Sequence, residues 1–206
     1  MPRVVHLKLF GEADARQVAG QLLTLSRTRD WDGDRPWLAH LASRHFFEME
    51  YWRHVSLETS LNPSMPKGLL AAGFVRIKHD ECDALALLFI ARELSEQFGL
   101  TARIDDPENP IAKLRHVELS GGKLRDGTSL ESVLVATRPI FKRMPGAVIE
   151  MYPPRALGSA FGTVDAHNNS RRIWSFSVHG MRGSGAGFLE AEAEAMRIYR
   201  GLRFLT

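Results

Sequence analysis

The stretch Phe47-Glu48-Met49-Glu50-Tyr51-Trp52-Arg53-His54-Val55-Ser56-Leu57-Glu58 alternates between two kinds of side chain over twelve residues, and only Arg53 breaks the pattern. Successive residues of a strand point to opposite sides, so a period of two held this long predicts a half-buried β-strand. Phe47, Met49, Tyr51, Val55 and Leu57 take one face. Glu48, Glu50, Trp52, His54, Ser56 and Glu58 take the other, about 7 Å apart per step. A helix through His45, Met49 and Trp52 would scatter Phe46, Phe47 and Val55 around its circumference.

Outward from this strand, residues 74–79 read as a second strand paired with it, and residues 4–10 as a third. Between them, residues 12–27 place Ala15, Val18, Ala19, Leu22 and Leu25 on one side of a helix. Residues 28–36 form a loop, and Pro36 suits the first turn of a helix running to Arg44. Asp80 is placed to cap a helix over 81–98 that is apolar nearly all round, with Gly99 as its stop. Residues 113–119 and 123–125 predict a hairpin around Ser120-Gly121-Gly122. Thr128-Ser129-Leu130-Glu131 has capping-box spacing ahead of Leu130, Val133, Leu134, Thr137 and Phe141, and Pro139 ends or kinks that helix. Strands at 148–152 and 173–179 and a closing helix over 188–202 complete the chain. The mixed order predicts a single α+β domain, 1–206, with helices packed on a largely antiparallel mixed sheet. Residues 105–110, with two prolines, are the candidate internal hinge.

Composition narrows the class. The chain has 206 residues, 44% of them hydrophobic and 25% charged, which is too apolar for a disordered chain. Cys82 is the single cysteine, so no intrachain disulfide and no Cys-based zinc site is expected. Neither a signal-peptide core nor an apolar run of membrane length is present, so the expectation is a cytoplasmic protein without membrane attachment. Basic residues number 27 and acidic residues 24. The surplus of three lies in the second half, where arginines interleave with Glu190, Glu192 and Glu194, and so small a bias argues against nucleic acid as the partner.

Three constellations carry chemistry. Glu48, Glu50 and His54 on one strand face have the types needed for acid–base work, and Trp52 among them wants a partner or a ligand. His179, with Ser175 and Ser177, is a further catalytic candidate. Third, Gly180-Met181-Arg182-Gly183-Ser184-Gly185-Ala186-Gly187 lies between an expected strand and an expected helix, where small residues let backbone N–H groups approach an anion. Arg182, Gly183, Ser184, Gly185 and Gly187, with Leu189 beyond, resemble the pyrophosphate loop of acyl-CoA-dependent N-acetyltransferases. That resemblance implies an acyl-transfer enzyme holding its ligand there, although Glu190, Glu192 and Glu194 open the next helix and oppose a phosphate. Asp165 and His167 are metal-ligating by type but sit in turn chemistry, Asn168-Asn169-Ser170. No complete catalytic set emerges. The expectation is therefore a non-enzymatic module, without cofactor or metal, that binds a protein partner or forms a homo-oligomer, with the acyltransferase as the alternative.

Overall fold

The computed structural model describes residues 3–27, 48–52, 66–77, 81–134, 139–144, 146–153 and 173–203. Among them are two antiparallel sheets and four helices, an α+β arrangement. The chain divides into two compact units, Met1–Lys78 with Leu87–Gly127 and His79–Ala86 with Thr128–Thr206.

The first unit holds the six-stranded sheet. Its strands are β1 (Arg3–Phe10), β2 (Glu48–Trp52), β3 (Leu69–Ile77), β4 (Thr101–Asp105), β5 (His116–Ser120) and β6 (Lys123–Leu124), in the order β2-β3-β1-β4-β5-β6. Helix α1 (Ala15–Arg27) links β1 to β2 around β3, and α2 (Glu81–Phe98) links β3 to β4 around β1. That connectivity is the split β-α-β arrangement, extended by the β5–β6 hairpin. Val5, Leu7 and Leu9 are buried while Val4, His6, Lys8 and Phe10 take the other side, the alternation a one-sided sheet needs. Asp14 fixes where α1 begins: its Oδ1 accepts the backbone N–H of Arg16 at 2.8 Å and of Gln17 at 3.4 Å. The helix therefore starts three residues later than the periodicity alone suggests. Along α2 every residue from Ala84 to Ala91 is buried, and Gly99 turns out of the helix at φ +63°.

The candidate hinge lies wholly inside this first unit and is tightly bonded. Asp106 is buried; Arg3 forks onto both its carboxylate oxygens, and Asn109 Nδ2 donates to Oδ2 at 2.8 Å. Asp106 N–H donates to Arg115 O at 2.8 Å and Arg115 Nε to Asn109 O at 3.0 Å.

In the second unit, β7 (Ile140–Met144), β8 (Ala147–Tyr152), β9 (Trp174–Val178) and β10 (Met181–Gly185) form a meander in that order. Helix α3 is Leu130–Leu134, and α4 (Phe188–Arg203) follows β10. One sheet face is buried, with Ile140, Met144, Ile149, Met151, Trp174, Phe176 and Val178 around a single charged residue, Lys142. Phe188 of α4 meets Trp174 edge-on, ring centroids 5.0 Å apart.

Four expectations need correction. β3 begins at Leu69, not Phe74, because Leu69, Ala71, Ala72 and Gly73 pair with β1 and the run from Leu69 to Gly73 is buried. Phe141 belongs to β7, a strand the sequence reading had merged into α3; Pro139 stands between them. Ser129 rather than Thr128 caps α3, accepting from the Ser132 N–H at 3.3 Å. Within the glycine-rich run, Met181 to Gly185 form strand β10 and not a loop.

Candidate functional site

That strand sets the geometry of the candidate phosphate-binding residues. Gly183 pairs with Phe176 and Gly185 with Trp174, so both glycines lie on the buried side of the sheet. Arg182 and Ser184 pair with Ser177 and Ser175, on the opposite side. The Arg182 side chain therefore leaves the sheet on the side opposite to the one that Gly183 and Gly185 line. A Cβ at Gly183 would overlap the Phe176 ring, and one at Gly185 would sit 2.5 Å from the Ala191 nitrogen. Small residues are needed here so that an aromatic ring and a helix can approach the strand. At the start of α4 the Glu190 carboxylate already takes the Ala186 N–H at 2.9 Å, while Ala191 N–H bonds Gly187 O at 3.0 Å. His179 is corrected as well: with φ +48° beside Gly180 at +80°, it is the first central residue of the exposed β9–β10 turn and does not share the strand face of Ser175 and Ser177.

The three glutamates of α4 have three separate environments, because a step of two residues swings a helical side chain through roughly 200°. Glu190 caps the helix. Glu194 is exposed and pairs with Arg197 at 2.6 Å, which holds its carboxyl below the usual value. Glu192 turns inward and is 2% exposed. It receives Lys142 Nζ at 2.8 Å, and the same ammonium reaches Asp83 Oδ1 at 3.3 Å. Lys142 is itself 1% exposed, in the middle of the buried side of β7. The sequence reading missed this triad, although two signals mark it: a lysine inside the alternation Ile140-Lys142-Met144, and a glutamate inside the stripe Phe188-Ala191-Glu192-Ala195-Tyr199. A buried ammonium held by two carboxylates is a packing constraint.

Of the carboxylate ladder, the backbone of β2 is described, whereas the side chains of Glu48, Glu50 and Trp52 and the whole of His54 lie outside the described residues, as do Asp165 and His167. The pairing alters the expectation nonetheless. Glu48 faces Phe74 and Met49 faces Gly73, but Tyr51 faces Ala72 and Trp52 faces Ala71. The register shift between Met49 and Tyr51 means that a strict period of two does not run through the strand.

The remaining constellation is the solvent-facing side of the six-stranded sheet, which the sequence reading did not assemble. Cross-strand pairing aligns Phe74, His6, Asp105 and His116 in one row, and Ala72, Lys8, Arg103 and Glu118 in the next. Lys8, Arg76, Arg103 and His116 are exposed, and His6, Phe10 and Phe74 half-buried; Ala72 is buried, so the face is open along β1, β4 and β5 and, on β3, only towards Phe74 and Arg76. Arg103 lies 4.8 Å over the Phe10 ring and Arg76 lies 5.2 Å over the Phe74 ring, while the His6 ring is 5.9 Å from Phe74. Glu48, paired with Phe74, extends the first row; of the carboxylates with described side chains, Asp105 Oδ1 meets His116 Nδ1 at 2.9 Å and Glu118 Oε2 meets Arg103 Nε at 2.8 Å. Rings capped by guanidinium planes, with a lysine between them, suit flat and negatively charged ligands.

Among the described residues no group of three or more His, Cys, Asp or Glu side chains is disposed to hold a metal ion, and no helix is long and apolar enough to cross a membrane. No family model, no curated protein and no solved structure matches the chain.

Proposed function

We propose that the chain is a non-catalytic binding protein whose working surface is the solvent-facing side of the six-stranded sheet. The observation that carries this reading is the pairing of Phe10 with Arg103 and of Phe74 with Arg76 on one face that also presents Lys8. Aromatic and cationic groups sharing an open sheet serve recognition, since each ring offers a stacking plane and each cation an anchor. Among the described residues of that face no nucleophile is hydrogen-bonded to a base, which favours binding over chemistry. A thermal-shift screen tests it, with nucleotides, oligonucleotides, acyl-CoA and acidic peptides offered to wild type and to Lys8→Glu. A binding ligand raises the melting temperature by mass action. Stabilisation of wild type that is lost in Lys8→Glu supports this face; equal stabilisation of both proteins places the binding surface elsewhere. Acyl-CoA as the one active compound, indifferent to Lys8→Glu, would restore the acyltransferase reading.

A further inference from the structure

Resting on that reading of the face, we infer that its ligand is single-stranded nucleic acid. The total charge of +3 gives no reason to expect this, but the placement of the charges does. Lys8, Arg76, Arg103 and Lys123 stand on the outward rows of β1, β3, β4 and β6, against Glu48, Asp105 and Glu118. Arg103 pairs with Glu118, which offsets that carboxylate's repulsion of a phosphate, and Asp105 is hydrogen-bonded to His116.

The rings supply the second half of the argument. Phe74 and His6 sit side by side on adjacent central strands, and Phe10 lies four residues further along β1, roughly 13 Å away, with Lys8 midway. Open sheets take unpaired bases in this way: aromatics on neighbouring central strands stack the bases, and nearby cations meet the backbone. A duplex buries its base faces in its own stack, so it offers these rings nothing. An acidic peptide would satisfy the cations and leave the rings idle, so the combination favours a polymer that carries both phosphates and flat bases.

Fluorescence anisotropy on the full chain tests the inference, with a labelled oligonucleotide of about 12 unpaired bases. Competitors are the same sequence as a duplex, the free mononucleotide, inorganic polyphosphate and poly-glutamate. The single strand is expected to bind and to outcompete all four. Phe74→Ala should weaken it about 5- to 100-fold, as removal of a stacking ring does elsewhere. Lys8→Glu, at an exposed position, should weaken it at least several-fold and flatten the salt dependence by close to one phosphate contact. Arg182→Ala, on the other sheet, should change nothing. Should Phe74→Ala fail to fold, Phe10→Ala and Lys8→Glu carry the test.

Polyphosphate binding as tightly as the oligonucleotide, with the ring variants silent, overturns the nucleic-acid inference and leaves the face as an anion surface. Poly-glutamate binding more tightly overturns it in favour of a protein partner. Tight binding of the mononucleotide alone overturns it in favour of a small ligand. Oligonucleotide binding that ignores Lys8→Glu and Phe74→Ala alike removes the face itself, and the proposed function with it.

Discussion

At Gly183 and Gly185 an added methyl group meets atoms that cannot move aside. Phe176 is a fully buried ring, and the obstacle at Gly185 is the backbone of α4. Gly183→Ala should cost about 1–3 kcal/mol in urea unfolding, the usual penalty of overpacking, and Gly185→Ala at least as much. Phe176→Leu in the Gly183→Ala background should recover part of the loss. Arg182→Ala, exposed on the opposite side, should stay within about 0.5 kcal/mol of wild type. A neutral Gly183→Ala would mean that the ring does not lie over the strand. This was not legible beforehand because glycine is ambiguous: the same residue serves a turn, an anion cradle or the close approach of a neighbour. Only the cross-strand partner decides, and Phe176 as that partner is a fact of pairing, absent from local composition. Glu194 yields a prediction of a different kind. Its hydrogen bond to Arg197 lowers the carboxyl from the usual 4.5, so the pair stabilises the fold at neutral pH and that contribution is lost as pH falls through the lowered value. The melting-temperature difference between wild type and Glu194→Gln, already small because the pair is exposed, should close as the solution is acidified.

Elements were legible wherever one period dominated. The strand at β1, the amphipathic stripe of α1, the apolar barrel of α2 with its glycine stop, and the β5–β6 hairpin all follow from local pattern. β7 did not, because Ile140-Phe141-Lys142-Arg143-Met144 alternates correctly yet puts lysine where a core residue is expected. The alternation was intact; the residue type misled. Burying that ammonium between Glu192 and Asp83 gives the element its sharpest test. Lys142→Met strands the Glu192 carboxylate in the core and should cost about 3–5 kcal/mol, measured by chemical denaturation. Lys142→Met with Glu192→Leu removes both inward charges and leaves Asp83, whose side chain is 23% exposed, free to reorient to water. The double variant should regain most of the lost stability. Equal losses in single and double variants would mean that packing of the lysine stem, and not charge pairing, holds β7 in place. β2 shows the opposite failure: its strand character was plain in the sequence, whereas the register shift after Met49 depends on β3 and was invisible.

For the whole molecule, the order β2-β3-β1-β4 is what turns scattered residues into a surface. His6, Phe74, Asp105 and His116 lie on four strands and up to 110 positions apart in sequence, so no spacing rule could collect them. The sequence does show that β1 has an outward side; it does not show which strands flank it. The same topology gives α2 an unusual position, since its residues to Ala86 group with the second unit and those from Leu87 with the first. A fragment of residues 128–206 lacks Asp83 and the rest of that first turn, and should unfold without a cooperative transition in circular dichroism; a sharp transition would show that the four-stranded unit needs no help from α2. The central claim concerns the open face, and one measurement addresses it directly: backbone amide chemical shifts of the full chain during titration with an unpaired oligonucleotide. The shifted resonances are expected to cluster at His6, Lys8, Phe10, Phe74, Arg103 and His116, while Arg182 to Gly187 stay still. Shifts concentrated at 182–187, or none on β1, β3 and β4 at saturating ligand, would contradict it.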